Sequence, residues 1–483
     1  MIKKIISLML MLIILNSFGI IYGYTSGYEC KTIGKTAVKF VELDMNSGIT
    51  TKILNANGQM ISTESLENMA KGVGAIAAIN GTHFEAYEGI PVPWGTIIRE
   101  GKVIHISNGR SVTGITTEGR LIVDRLSFEF KGFVNGIHKS TPWRINHVST
   151  EPEAITIFTE EYGTIVKLQV GAKAAIIVGG KVTEVVDSDF VLPTGAYAIV
   201  YNAGVVGMFQ DRIKVGDEFR YEVIVSTTFT EVEEWDKVVN AIGAGPSLII
   251  NGKETADGLA EDFLEAKINT SPAERSFIGS KVDGKIVIGN MGAVTLKDAA
   301  NIAKEMGLVN AMCLDGGGSI ALYYPQSKIS IGGRNINNGL AFMAYNGEVA
   351  KNTSSKLFFY SEEIQLEAYN IKGSNYFKLR DLAMLLGNSL NRFNVDWNSD
   401  MCSIELVKDI EYKVVGGELL QGDGKDKLSK ISTAKVYMNG KEVELEAYNI
   451  NGNNFYKLRD LGKVIGFDVD WNEETRSVEI CTN

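Results

Sequence analysis

Histidine and cysteine are scarce in this 483-residue chain, with four of each, and their placement excludes more chemistry than their number does. His83, His105, His138 and His147 form no HxH or HExxH pattern, so zinc-centred hydrolysis lacks a ligand set. Cys30, Cys313, Cys402 and Cys481 make neither a CxxC knuckle nor a disulfide framework; Cys402 and Cys481 admit one bridge, and isolated thiols are the simpler reading. The closest approach to a P-loop, GYECKTIGKT, has Glu29 where the first glycine must sit. No Lys/Arg run occurs beyond the N-terminus, and a formal charge of −10 repels phosphate backbones, which excludes nucleic acid as an expected partner.

Long apolar runs are also missing, with one exception. After MIKK, the stretch from Ile5 to Ile21 is apolar and small residues follow at Gly19, Gly23 and Gly27. Two lysines, an apolar centre and small residues predict a secretory signal peptide over 1–23, with an extracytoplasmic remainder, secreted or on the cell surface. An uncleaved membrane anchor is the alternative, because the run is only slightly short of a bilayer span.

What is present is a folded composition, 45% hydrophobic and 22% charged, long enough for two to four domains at roughly 100–200 residues each. Residues 28–348 read as one large unit of short β-branched runs punctuated by glycine, among them AVKFVEL, AAIIVGGKVTEVV and FRYEVIVSTTF. Two helices are predicted within it, TESLENMAKGVG near 63–74 and TLKDAANIAKEMG at 295–307. In the second, Thr295 and Asp298 stand at N-cap and N3, Leu296, Ala299, Ala300 and Ala303 share a face, and Gly307 closes the C-terminus. Mixed strands with few helices predict an α+β, β-rich fold.

A polar stretch, GEVAKNTSSKL at 347–357, marks the boundary to a second unit over 355–483. There LEAYNIKGSNYFKLRDL (366–382) returns as LEAYNINGNNFYKLRDL (445–461), followed in both copies by a VDWN strand. This is a duplicated β-turn-helix-β module. Its RDL Arg/Asp pair reads as solvated or capping, so the module is structural or adhesive rather than catalytic.

The richest stretch for chemistry is MCLDGGGSIALYY, 312–324. Asp-Gly between two β runs reads equally as a hairpin turn or as an anion nest, in which Gly316, Gly317, Gly318 and Ser319 turn successive N–H groups toward one point beside Asp315. Other glycine-flanked polar segments offer partners: Asn80 and His83 in AINGTHF, Arg110 in SNGRSVTGI, Gly245 in AIGAGPSLI, Arg275 in ERSFIGSKVDG, and Arg334 in GGRNINNGLAF. Three arginines, amides and a glycine nest at strand ends suit a phosphate-bearing substrate.

These motifs, above all the helix TLKDAANIAKEMG leading to AMCLDGGGS and then GGRNINNGLAF, resemble the phosphodiester glycosidase family over roughly 40–345. The resemblance implies hydrolysis of an N-acetylglucosamine-phosphodiester-like bond at the anomeric carbon. It casts Asp315 as the principal carboxylate, Arg275 and Asn80 as catalytic companions, and Gly316–Gly318, Ser319, Arg110, Arg334 and Gly245 as substrate or phosphate contacts. Glu274 and Glu85 are candidates for a second carboxylate, and a divalent cation between Asp315 and phosphate would relieve their repulsion. A non-catalytic binder of surface glycan or teichoic acid is the rival reading. The repeats are similar to the stalk modules of exported bacterial surface proteins named after the N-terminal domain of copper amine oxidases, which implies association with the cell envelope or a cell-wall polymer but no copper.

Overall fold

The structure of this chain is a computed structural model that describes residues 24–483 except 88, 164, 346, 354–355, 399–402, 433, 474, 476 and 483. The signal-peptide segment 1–23 and Cys402 lie outside the described residues. Two compact units are formed, divided between Ala344 and Tyr345. Among the described residues, no helix is long and apolar enough to cross a membrane.

Four sheets build the first unit, as the α+β reading expects. The first runs, in spatial order, Ser26–Ile33, Thr36–Leu43, Ile286–Val294, Ala273–Lys281, Leu308–Cys313, Ser247–Ile250 and Lys253–Glu254, antiparallel throughout. The Asp283-Gly284 hairpin joins two of its central strands, with Gly284 at φ 85°. A second sheet orders Ile329–Gly332, Ala321–Tyr324, Ala77–Asn80, Asn338–Ala344 and Ile49–Asn55. The other two are centred on the long strand Leu121–Val134 and on Tyr197–Tyr201. One apolar core serves all four, bringing together Ile278 and Met312, Ile79 and Leu322, Ile97 and Ile242, and Ile176 and Val200.

The helix Leu296–Glu305 sets the position of the strand that leads to Asp315. Thr295 caps it, its hydroxyl accepting from Asp298 N at 3.2 Å and donating to Asp298 Oδ2 at 2.7 Å. Leu296, Ala299, Ala300, Ile302 and Ala303 are buried in one cluster with Leu248, Phe277 and Ala311 of the sheet. The three alanines allow close approach, while burial of a side chain such as Ile302 contributes about 1.5–3 kcal/mol. Met306 is the cap residue and Gly307, at φ 74°, turns the chain directly into the strand Leu308–Cys313.

The second unit is an interlocked pair of repeats. A closed six-stranded barrel takes Glu348–Asn352, Ala368–Ile371 and Ser374–Lys378 from the first copy and Lys427–Ile431, Ala447–Ile450 and Asn453–Lys457 from the second. Beside it, the hairpin Lys356–Ile364 of the first copy pairs with Asp468–Cys481 of the second, and Phe393–Lys408 of the first pairs with Lys435–Val443 of the second. Each copy therefore completes the other's sheet. The duplication begins at Glu348, so this strand, which lies ahead of the stretch read as 355–483, is the first strand of the repeat.

The retained letters of the repeat have a packing reason. Tyr369 OH donates to Glu367 at 2.7 Å and Tyr448 OH to Glu446 at 2.9 Å; Asn370 donates to Asn375 and Asn449 to Asn454, both at 3.0 Å. Across the pseudo-symmetric interface Tyr369 meets Phe455 and Tyr376 meets Tyr448, each at 5.2 Å between ring centroids and near-perpendicular. The RDL motif diverges between copies: Asp381 is buried and accepts from Leu419 N at 3.0 Å, burial pushing its carboxyl above the usual range, while Asp460 is only partly buried. The solvated reading does not fit Asp381.

Candidate active site

The glycine run is not a hairpin. Leu308–Cys313 belongs to the first sheet and Ala321–Tyr324 to the second, so the loop between them carries the chain from one sheet to the other. Gly317–Ser319 forms a single 3₁₀ turn closed by Ser319 N to Gly316 O at 3.2 Å and Ile320 N to Gly317 O at 3.3 Å. Because Ser319 and Ile320 are the first donors within the turn, the N–H groups of Gly316, Gly317 and Gly318 have no acceptor in it. Each glycine meets a different constraint. A Cβ at Gly316 would sit 2.7 Å from Glu274 O, Gly317 has φ 57°, and a Cβ at Gly318 would sit 2.6 Å from Arg334 Nη2.

Asn80 ties both ends of this loop. Its Nδ2 donates to Asp315 O at 2.8 Å, while its Oδ1 accepts from Ala321 N at 3.0 Å and from Ser276 Oγ at 2.6 Å; Asn290 supports Ser276 at 2.8 Å. The side chain is buried and both its ends meet protein, so Asn80 positions the loop rather than reaching outward. Arg275 is likewise internal: Nε donates to Val294 O and Nη2 to Ile268 O, both at 3.0 Å, which fastens the short helix Ala266–Asn269 to the sheet. Gly245, at φ 101°, donates to Cys313 O at 3.0 Å and backs the strand from behind. Ser319 is buried and Glu274 is exposed, while Glu85 accepts from Tyr87 N at 3.1 Å.

What remains facing outward is a carboxylate among cations. Asp315 faces His83 Nε2 at 3.8 Å, both side chains about one-sixth exposed, and its carboxylate accepts no hydrogen bond from a described residue. Burial holds the His83 imidazole below its ordinary value; Asp315 and Glu265 draw it up, and Arg110 and Lys267 push it down. His83 is therefore neutral at pH 7. Its ring lies 5.5 Å from Phe263, and the Arg110 guanidinium lies over the same Phe263 ring at 4.5 Å from its centroid. Arg334 stacks on Tyr87 at 4.8 Å, donates to its hydroxyl at 3.1 Å, and through its own N–H holds Gly318 O at 2.9 Å. The Arg334 guanidinium, with Lys267, holds the Tyr87 phenol below its usual range, while Asp315 opposes them.

Asp315, Gly316–Gly318, Arg110 and Arg334 thus gather with His83, Tyr87, Lys267 and Glu265. Tyr87 sits on a loop, and Glu265 and Lys267 lie at the start of the short helix Ala266–Asn269, in segments without a motif, so no sequence pattern marks them; His83 follows the strand end that carries Asn80. Among the described residues no group of three His, Cys, Asp or Glu side chains is placed to hold a metal ion. Asp315 and Glu265 share the site with Arg110, Lys267 and a neutral imidazole, a mixed set that suits an anion better than a divalent cation.

Residues 171–343 match the phosphodiester glycosidase family, a segment that includes Lys267, Arg275, Asp315 and Arg334, whereas Asn80, His83 and Arg110 precede it. No curated protein matches the chain. Among solved structures, a hypothetical protein from Synechocystis is similar over 66% of this chain with 22% identity and a TM-score of 0.58. The chain spans 62% of that protein's length, less than two thirds. A protein from Burkholderia pseudomallei is similar over 64% of this chain and 74% of its own, with 15% identity and a TM-score of 0.54. The catalytic domain of zebrafish N-acetylglucosamine-1-phosphodiester alpha-N-acetylglucosaminidase, auto-inhibited by its pro-peptide, aligns over 68% of this chain and 85% of its own, at 14% identity and a TM-score of 0.34. The first two likenesses show a shared fold, and residues 171–343 of the chain are similar to the phosphodiester glycosidase family.

Proposed function

We propose that the first unit hydrolyses a sugar 1-phosphodiester, N-acetylglucosamine-phosphodiester-like, to a free sugar and a phosphomonoester. The observation that carries this reading is the Asp315 carboxylate, which accepts no hydrogen bond from a described residue, beside a neutral His83, in the field of Arg110 and Lys267 and next to a glycine loop bounded by Arg334. Arg110, Lys267 and Arg334 against Asp315 and Glu265 leave about one net positive charge, which complements the single negative charge of a phosphodiester.

The chemistry follows from the leaving group. A phosphomonoester, with a second pKa of about 6, departs without the strong general acid that an alkoxide needs, so one carboxylate suffices where ordinary glycosidases use two. The C1–O(phosphate) bond breaks with its electron pair going to phosphate, held by the arginines and the Gly316–Gly318 amides. Asp315 stabilises the oxocarbenium-like carbon, and water then forms the new C1–O bond as its proton passes to Asp315 or, through the adjacent imidazole, to His83. Support for export comes from the apolar segment after MIKK, and the repeats, resembling stalk modules, would space the enzyme from a cell-wall polymer.

Incubation of the purified protein with N-acetylglucosamine 1-phosphodiesters tests the reading. Release of free sugar, with label from ¹⁸O water appearing on the sugar rather than on phosphate, is the expected result. Sugar binding without turnover would instead favour the glycan-binding alternative.

A further inference from the structure

Directly opposite His83 on a short antiparallel ladder lies Trp94. Phe84 bridges Pro93, Trp94 N donates to His83 O at 2.8 Å and Glu85 N to Val92 O at 3.0 Å. Opposed residues in such a ladder project to the same side, and their neighbours project to the other. Phe84 and Pro93 are accordingly buried, while His83 and Trp94 share the opposite face, on which His83 meets Asp315.

Trp94 is 43% exposed although its backbone is tightly held. Gly95, the next residue, accepts at its carbonyl from His105 Nδ1 at 2.7 Å, and His105 is itself buried and bonded to His147 at 2.9 Å. A Cβ at Gly95 would collide with Gly243 O at 1.7 Å, so the backbone there is pressed against the neighbouring strand. An indole left half open to water on a rigid mount, on the face where His83 meets Asp315, has apolar surface that the fold does not use. A pyranose presents a face of C–H groups, whose weakly positive hydrogens complement the negative face of an aromatic ring.

We propose that Trp94 is the platform on which the sugar ring stacks, with its anomeric carbon carried toward Asp315. The inference rests on the sugar-phosphodiester reading for its ligand, but stacking itself is read by binding and needs no turnover.

The test is titration of the full chain with free N-acetylglucosamine, and separately with uridine, followed by tryptophan fluorescence and calorimetry in wild type, Trp94→Phe and Trp94→Ala. Sugar should quench or shift the emission in wild type and not in either variant. Trp94→Ala should weaken sugar binding, and raise KM for a sugar phosphodiester, by roughly 5- to 20-fold, and Trp94→Phe by less than about 3-fold. Sugar affinity in Trp94→Ala within about 2-fold of wild type, or Trp94-dependent binding of uridine in place of sugar, overturns the assignment. Trp94-dependent sugar binding by a chain inactive on every diester sustains the platform and sinks the reaction. Diester turnover with Trp94-independent sugar binding does the reverse. The half-exposed position leaves the melting temperature unchanged in either variant.

Discussion

Asn80 holds Asp315 by its main chain and not by its carboxylate: the amide donates to the Asp315 carbonyl at 2.8 Å while the acid group is left to face His83. Shape and chemistry are thereby separated within one residue. Asn80→Ala leaves Ser276 Oγ and Ala321 N without their acceptor in a buried setting and should cost about 2–4 kcal/mol. Chemical denaturation checks this, and a loss under about 0.5 kcal/mol would show that the clamp is dispensable.

Asp315→Asn tests the other half of that separation. Its side chain accepts no hydrogen bond from a described residue, so the variant should melt with the wild type while kcat falls by at least about 100-fold. Turnover within a few-fold of wild type removes Asp315 from the reaction.

The arginines divide by what their guanidinium groups meet. Arg275→Ala removes donors to Val294 O and Ile268 O inside the protein and should lower stability by about 2–4 kcal/mol. Arg334→Ala, at the edge of the glycine loop, should leave the melting point near wild type and raise KM about 10-fold, with weaker dependence of KM on salt. Equal melting temperatures for the two variants would contradict the division.

Two glycine replacements should behave in opposite ways. Gly81→Ala would place a Cβ 2.0 Å from Asn338 Oδ1, a side chain fixed by bonds to Thr82, and the protein should fail to fold stably. At Gly318 the obstacle is the flexible end of Arg334, 2.6 Å away, so Gly318→Ala should fold and bind phosphate less well. Expression yield and product inhibition by phosphomonoester separate these outcomes.

Acid should destabilise the protein through its buried histidines. Burial and mutual repulsion depress His105 to about 3, and burial and Arg144 depress His147 to about 4, from an ordinary 6.5. Unfolding restores the ordinary value, so the unfolded state takes up protons first. Stability is complete above pH 6.5 and falls as pH drops toward 4, by about 1.4 kcal/mol per pH unit for each histidine, then levels off below the folded values. His147→Asn should flatten that slope by about one proton. A melting temperature constant from pH 7 to 4.5 would rule out the buried neutral pair.

Local rules with a strong periodic or capping signal were legible in the letters. Thr295 with Asp298, the alanine face behind them and Asp283-Gly284 each specify one short-range geometry, and the structure contains all three. The glycine run was half legible: its supply of free amides followed from composition, but whether it closes a hairpin or crosses between sheets depends on partners more than 230 residues away, such as Asn80. Arg275 shows the same limit, since a guanidinium aimed at carbonyls and one aimed at phosphate are identical as letters. Tyr87 sits singly on a loop and Lys267 in a four-residue helix too short to show a period, so nothing in the letters marks either. In the repeats, LEAYN survives in both copies because its hydrogen bonds are internal, whereas Glu348–Asn352 and Lys427–Ile431 supply barrel strands through backbone pairing that many sequences satisfy.

The exchange of hairpins between the repeats also governs the order in which that unit can be made. A chain emerging from its N-terminal end would have released Lys356–Phe359 more than a hundred residues before its parallel neighbour Ser477–Cys481 exists. Half a module is an open edge, prone to pair with a stranger, until Ser477–Cys481 closes it. Removing that strand would therefore unravel both copies together, and Ser477–Cys481 acts as the latch for a structure that begins near residue 348.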